Sequence, residues 1–198
     1  MKARLFSLFI LLACMLIQAQ EQAQAQTQSQ PQQSFPYPAL PDTLRSVEQR
    51  AGYLSEHYWD NYNFADTLML KSEEVTEQGF VNFIDILGRF SPAIAQKGIA
   101  GFTQRAFKNT AAKERFESLI EHYFENPQSP LRNDRVYLYF LEEMKNSPCF
   151  DEAEKERLAF KIKTTNKNLP GDIAINFNFK DENGKSHQLS EYRDQKVI

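Results

Sequence analysis

Between residues 42 and 166 apolar side chains recur at intervals of three and four, and beyond residue 172 they fall on alternate positions. The chain therefore changes from a helical to an extended period near 165–170. Asp42 is a suitable N-cap, and Leu44, Val47, Ala51, Leu54 and Tyr58 give a first helix over 43–58, with Arg45, Glu48, Gln49 and Glu56 on its other face. Ser72 caps a second helix over 73–89, striped by Phe80, Phe83, Ile84 and Leu87. Ser91-Pro92 starts a third, since proline at the first helical position forfeits no hydrogen bond. Gly98 and Gly101 weaken that helix by about 1 kcal/mol each relative to alanine unless another helix packs closely there.

Thr110 opens a fourth helix with Phe116, Leu119, Ile120, Tyr123 and Phe124, ended by Asn126-Pro127. Asn133 caps a fifth with Val136, Tyr137, Phe140, Leu141 and Met144, stopped at Pro148. Asp151 caps a sixth; Glu152 and Glu154 in its first turn and Lys161 and Lys163 in its last all suit the helix dipole. Past the break, Ile175, Phe177 and Phe179 alternate with Asn176 and Asn178, Asn183-Gly184 makes a turn, and His187 with Leu189 restarts the alternation, which predicts a β-hairpin. The expected fold is mainly α: a six-helix domain over 42–166, then a short hairpin.

The most unusual stretch joins the first two helices: His57-Tyr58-Trp59-Asp60-Asn61-Tyr62-Asn63-Phe64-Ala65-Asp66-Thr67. One His, two carboxylates, a Trp and two Tyr in eleven residues suit a polar ligand or a metal, with His57, Trp59, Asp60, Tyr62 and Asp66 as the candidate binding residues. The competing reading is a helix-connecting corner whose rings fill the core while Asn and Asp satisfy free backbone groups; His57 and Asp60 lack a further ligand at metal spacing. The aromatic stripes elsewhere read as core, His122 as a surface or boundary imidazole and His187 as solvent-facing. Cys149, in Ser147-Pro148-Cys149-Phe150, reads as a half-buried small apolar residue; as a reactive thiol its nearest basic neighbour is Lys145.

The N-terminus carries Lys2 and Arg4, an apolar run over 5–17 broken only by Ser7, and a small residue at Ala19. That is the pattern of a secretion signal over 1–19, too short to span a bilayer, where about 20 residues are needed. Leu11-Leu12-Ala13-Cys14 also resembles a lipobox, so a lipid anchor at Cys14 competes with cleavage before Gln20 and a soluble product. Gln supplies 9 of the 16 residues over 18–33, and Pro36, Pro38 and Pro41 follow, so 20–41 reads as a Gln/Pro-rich linker. With 23 basic against 26 acidic side chains there is no surplus to neutralise a phosphate backbone, which argues against nucleic acid as a partner. Nothing in the chain has the spacing of a Ser-His-Asp set, a phosphate-binding glycine loop or a zinc site, and no cofactor is expected.

Gly171-Asp172-Ile173-Ala174-Ile175-Asn176-Phe177, then Asp181-Glu182-Asn183-Gly184-Lys185, then Leu189-Ser190-Glu191-Tyr192-Arg193-Asp194-Gln195-Lys196-Val197-Ile198 resembles the opening of a thioredoxin-like domain of the TlpA/ResA and alkyl hydroperoxide reductase type. Ile175 stands where that family usually has Pro, and Gln195 where it has Gly. The helical part, above all 53–67 and 77–85, is similar to an uncharacterised helical domain that precedes such domains in exported proteins of Gram-negative bacteria. The resemblance implies a thioredoxin-like α/β domain begun at 171–198 and truncated before its active site. It also implies a periplasmic location, thiol–disulfide exchange with protein thiols or disulfides as partners, and a helical domain for substrate binding or dimerisation. That chemistry needs a Cys-x-x-Cys pair, and neither Cys14 nor Cys149 matches it, so no catalytic residue is carried over. A non-catalytic helical binding module is the alternative.

Overall fold

A computed structural model describes residues 34–167 and 169–193; the expected secretion signal, the lipobox-like stretch at Cys14, the Gln-rich run and the Lys196-Val197-Ile198 ending lie outside the described residues. The helices are α1 Val47–His57, α2 Thr67–Lys71, α3 Gln78–Arg89, α4 Pro92–Ala106, α5 Thr110–Glu125, α6 Asp134–Asn146 and α7 Glu152–Thr165. A π-helical turn, Glu73–Glu77, precedes α3. The antiparallel hairpin of β1 Asn178–Lys180 and β2 Ser186–Gln188 pairs Phe179 with His187, and a 3-10 turn, Leu189–Tyr192, follows. A mainly α unit followed by a hairpin is the expected fold class.

Among the described residues, seven helices stand where six were expected. The region read as one helix over 73–89 is a π turn followed by α3, and α2 was missed before it. Asp66 caps α2 by accepting from the backbone N–H groups of Leu68 and Met69 at 3.0 and 3.1 Å. Five residues are too few for a period to register in the sequence. Ser72 accepts from Val75 N at 3.2 Å, as its capping role predicts. The Thr76 hydroxyl donates to the Met69 carbonyl and meets the Tyr62 hydroxyl, which fastens the π turn to the corner above it.

The first helix begins later than expected. Ser46, not Asp42, is its N-cap, in a capping box in which Ser46 Oγ accepts from Gln49 N and Gln49 Oε1 accepts from Ser46 N. Val47 then points to solvent, and Ala51 and Ser55 are the buried residues of α1. The other caps fall as predicted or one residue away: Asn109 on α5, Asn133 on α6, and Asp151 with Glu154 in a second capping box on α7.

The core is a nest of rings. Phe80, Phe83, Phe102, Phe116 and Phe140 are completely buried, and Phe102 meets Phe116 edge-on at 4.9 Å between centroids. Helix α1 packs on α4 and α6 on α7. Gly98 is the condition for the first of these contacts, because a Cβ there would stand 3.0 Å from both Ser55 Cβ and the Ser55 carbonyl oxygen. After α7, Leu169 is buried and Arg135 on α6 reaches Asp172 at 3.1 Å, which ties the connecting segment to the helices.

Candidate functional site

The corner over 57–66 sends its five candidate residues to three places. His57 and Asp60 lie at the surface, His57 Nδ1 at 2.7 Å from Asp60 Oδ2, while Asp60 Oδ1 takes Arg105 Nη2 of α4 at 2.7 Å. The His57 ring also packs on Tyr53, one turn back, at 4.2 Å. This is a string of partly exposed charges across α1 and α4, the kind of pairing worth at most about 1 kcal/mol.

Trp59 and Tyr62 turn the other way. Trp59 is buried among Phe64, Phe83, Phe102 and Phe116, all with ring centroids within 5.8 Å. Tyr62 packs edge-on to Trp59 at 5.1 Å, and burial pushes its hydroxyl up against the opposing hydrogen bond with Thr76. Asp66 is the cap of α2. Among the described residues no group of three or more His, Cys, Asp or Glu is placed to hold a metal ion.

Two features escaped the sequence. Phe35, in the proline-rich stretch, is buried against the corner at 4.9 Å from Tyr58 and 5.1 Å from Trp59; Phe35-Pro36-Tyr37 has no periodicity that would signal it. The second is a pair of clefts, each of about 370 Å³, on either side of Tyr137 and Lys161 where α5, α6 and α7 meet. Lys161 Nζ sits 2.8 Å from Glu121 and 2.7 Å from Glu125, and the Tyr137 hydroxyl donates to Glu125. Burial opposes ionisation of Glu125, but the hydrogen bonds from Lys161 and Tyr137 outweigh it and hold its carboxyl below the usual range. Glu117 lacks such help: burial pushes it up against the pull of Lys113, and Glu154 and Glu121 push the same way. Through Glu121 and Glu125, Lys161 and Tyr137 tie α5, α6 and α7 together.

Two single-residue expectations are corrected. Cys149 is exposed rather than half-buried, and its nearest cationic contact is Lys113, which donates to the Cys149 carbonyl at 3.0 Å and not to the thiol. His187 does not face solvent: its ring lies between Asp181 at 3.2 Å and Glu191 at 3.1 Å and packs on Phe179 and Tyr192. The inward side of a two-stranded hairpin is covered here by the following 3-10 turn, which alternation alone could not foretell. His122 is exposed, as read.

Residues 14–168 match a family described as Domain of unknown function (DUF5106). The chain belongs to the DUF5106 family. Among solved structures it is similar to a thioredoxin-like protein from Bacteroides caccae ATCC 43185, determined by crystallography at 1.90 Å, at 36% identity with a TM-score of 0.72. The match covers 80% of this chain and 57% of that one, so the DUF5106 chain spans little more than half the length of that protein. No curated protein matches it. The two findings give the DUF5106 chain a thioredoxin-like relationship, and among its described residues no helix is long and apolar enough to cross a membrane.

Proposed function

We propose that this chain is the N-terminal portion of an exported, periplasmic thiol–disulfide oxidoreductase-like protein, in which the helical unit docks a partner or substrate polypeptide and the hairpin opens the redox domain. The observation that carries the reading is the stretch Ile173, Ile175 and Phe177, 81%, 54% and 56% exposed, leading directly into the hairpin. Three apolar side chains on alternate positions of extended backbone call for a covering layer. The similarity to a longer thioredoxin-like protein, 57% of which the match covers, supports a sheet and helices as that layer.

Reading the natural gene beyond Ile198 tests the proposal first: a Trp-Cys-x-x-Cys sequence within about 10–15 residues is expected from the family pattern. The full natural protein should then reduce insulin with dithiothreitol as electron source, and lose the activity when the first of those cysteines becomes Ser. A stop codon after Ile198 in the natural gene, or full activity in that Ser variant, refutes the redox reading. A mature N-terminus at Gln20, read by mass spectrometry, would settle the soluble form against a lipid anchor at Cys14.

A further inference from the structure

Of residues 34–46, Phe35 alone is buried, and it enters a pocket made almost entirely of rings. Its ring lies 4.9 Å from Tyr58, 5.1 Å from Trp59 and 5.9 Å from Tyr62, and a Cβ added at Gly79 would overlap it. Tyr37 closes the pocket edge-on to Tyr58 at 5.7 Å. Two side-chain amides fix its position: Asn61 Nδ2 donates to the Tyr37 carbonyl at 3.3 Å, and Asn82 Nδ2 to the Tyr37 hydroxyl at 2.8 Å. An apolar pocket for one side chain, with a few polar groups that set the register of extended backbone, is how folded domains read peptides.

The segment is held by insertion rather than by secondary structure. Its described backbone hydrogen bond is internal, from Tyr37 N to the Phe35 carbonyl, and Pro36 and Pro38 cannot donate. The connection to α1, residues 41–46, runs along the surface. In the wall of the pocket, Trp59 Nε1 is buried with no hydrogen-bond partner among the described residues. Buried donors are rarely left so; burial pushes the Tyr58 hydroxyl up, and the neighbouring Tyr37 adds to it.

We propose that the pocket formed by Tyr58, Trp59, Tyr62 and Gly79 is a binding site for an extended Phe-Pro-Tyr segment, that the chain's own Phe35–Tyr37 is a detachable plug in it, and that the segment exchanged for the plug is the Phe35–Tyr37 of a second copy. The second copy is the occupant because it presents the sequence this pocket already holds, and the surface connection over 41–46 serves as the hinge of a reciprocal exchange. The site owes nothing to thiol chemistry, so it stands or falls apart from the redox reading.

Trp59 is the single tryptophan of the chain and lines the pocket, so its emission reports occupancy directly. The Phe35→Ala full chain, with helical content checked by circular dichroism, is titrated with a synthetic peptide of residues 34–41. A saturable emission change is expected, at least about tenfold tighter than with the wild-type chain, where the tethered plug competes. A peptide with Ala in place of Phe35 should have no effect, nor should the wild-type peptide on a Gly79→Ala chain, whose pocket floor is filled. Light scattering of the wild-type chain should show a concentration-dependent dimer that Phe35→Ala abolishes. If Phe35→Ala does not fold, Phe35→Leu, an undersized plug, takes its place and should be displaced by the same peptide. A folded variant that gives no saturable change, or a dimer untouched by Phe35→Ala, overturns the proposal, as does a wild-type chain that stays monomeric up to millimolar concentration.

Discussion

Replacing glycine by alanine inside a helix usually stabilises it by about 1 kcal/mol, and this chain offers that substitution in two opposite settings. Gly52 on α1 has nothing within 4 Å of where a Cβ would stand, so Gly52→Ala should gain close to the full propensity term. At Gly98 on α4 the same Cβ would lie 3.0 Å from Ser55 Cβ, 3.0 Å from the Ser55 carbonyl oxygen and 3.1 Å from Leu87 Cδ2. The Leu87 methyl can swing aside. The Ser55 backbone oxygen cannot, because it belongs to α1, and its helix must retreat as a body from α4. Overpacking of that kind costs about 1–3 kcal/mol, which outweighs the propensity gain of about 1 kcal/mol. The net expectation for Gly98→Ala is a loss of up to about 2 kcal/mol, with opposite sign to Gly52→Ala. Urea unfolding of the two variants, followed by both far-ultraviolet circular dichroism and Trp59 emission, separates them by midpoint. A Gly98→Ala chain as stable as Gly52→Ala would refute the close approach of α1 to α4.

Glu77 ends the π turn, where it accepts from Arg115 at 2.9 Å and from the Tyr123 hydroxyl at 2.8 Å. Burial opposes its ionisation, yet those two hydrogen bonds hold the carboxyl below its ordinary value of 4.5, while burial and Glu77 together push Tyr123 up to about 12. A depressed carboxyl contributes stability above its unfolded pKa and loses it as pH falls through the folded one, so the Glu77 contribution is whole at pH 6 and fades below about pH 4. Glu77→Gln should therefore cost about 1–3 kcal/mol near neutrality, and the gap to wild type should narrow in denaturant titrations at pH 3. The same substitution should bring the Tyr123 phenol back toward 10 in an ultraviolet titration. In the core, Phe102→Ala should cost about 3–5 kcal/mol in thermal or chemical unfolding, whereas Phe160→Ala, at a side chain 72% exposed, should change stability by less than about 0.5 kcal/mol.

Five of the helices were legible because each combined an apolar stripe with an independent stop or start signal, as Asn133 and Pro148 do around α6. Where two start signals stood close together, Asp42 and Ser46, the nearer to the stripe won because only Ser46 has a Gln three residues on to complete a capping box. The split of the second helix was invisible because the tie that makes the π turn, Thr76 to Met69 and Tyr62, joins residues 7 and 14 positions apart. The corner at 57–66 stood out in the sequence as dense in polar and aromatic groups, but composition could not say that its rings and its charges face opposite ways. Trp59 goes to the core and Asp60 to Arg105, one residue apart, because the chain turns between them. The burial of Phe35 was hidden for the same reason in reverse: its pocket is assembled from the corner and α3, and none of those residues is near it in sequence.

The uncovered run at 173–177 has a consequence for how such a chain behaves at high concentration. Extended backbone that carries Ile173, Ile175 and Phe177 beside uncharged Asn176 and Asn178 is a template for strand-to-strand stacking between molecules. The charges that could discourage it stand at its two ends, Asp172 and Lys180, and Asp172 is already engaged by Arg135. Solubility then hangs largely on Lys180 as a gatekeeper, and a neutral residue in its place would turn the stretch from a waiting strand into a nucleus for aggregates.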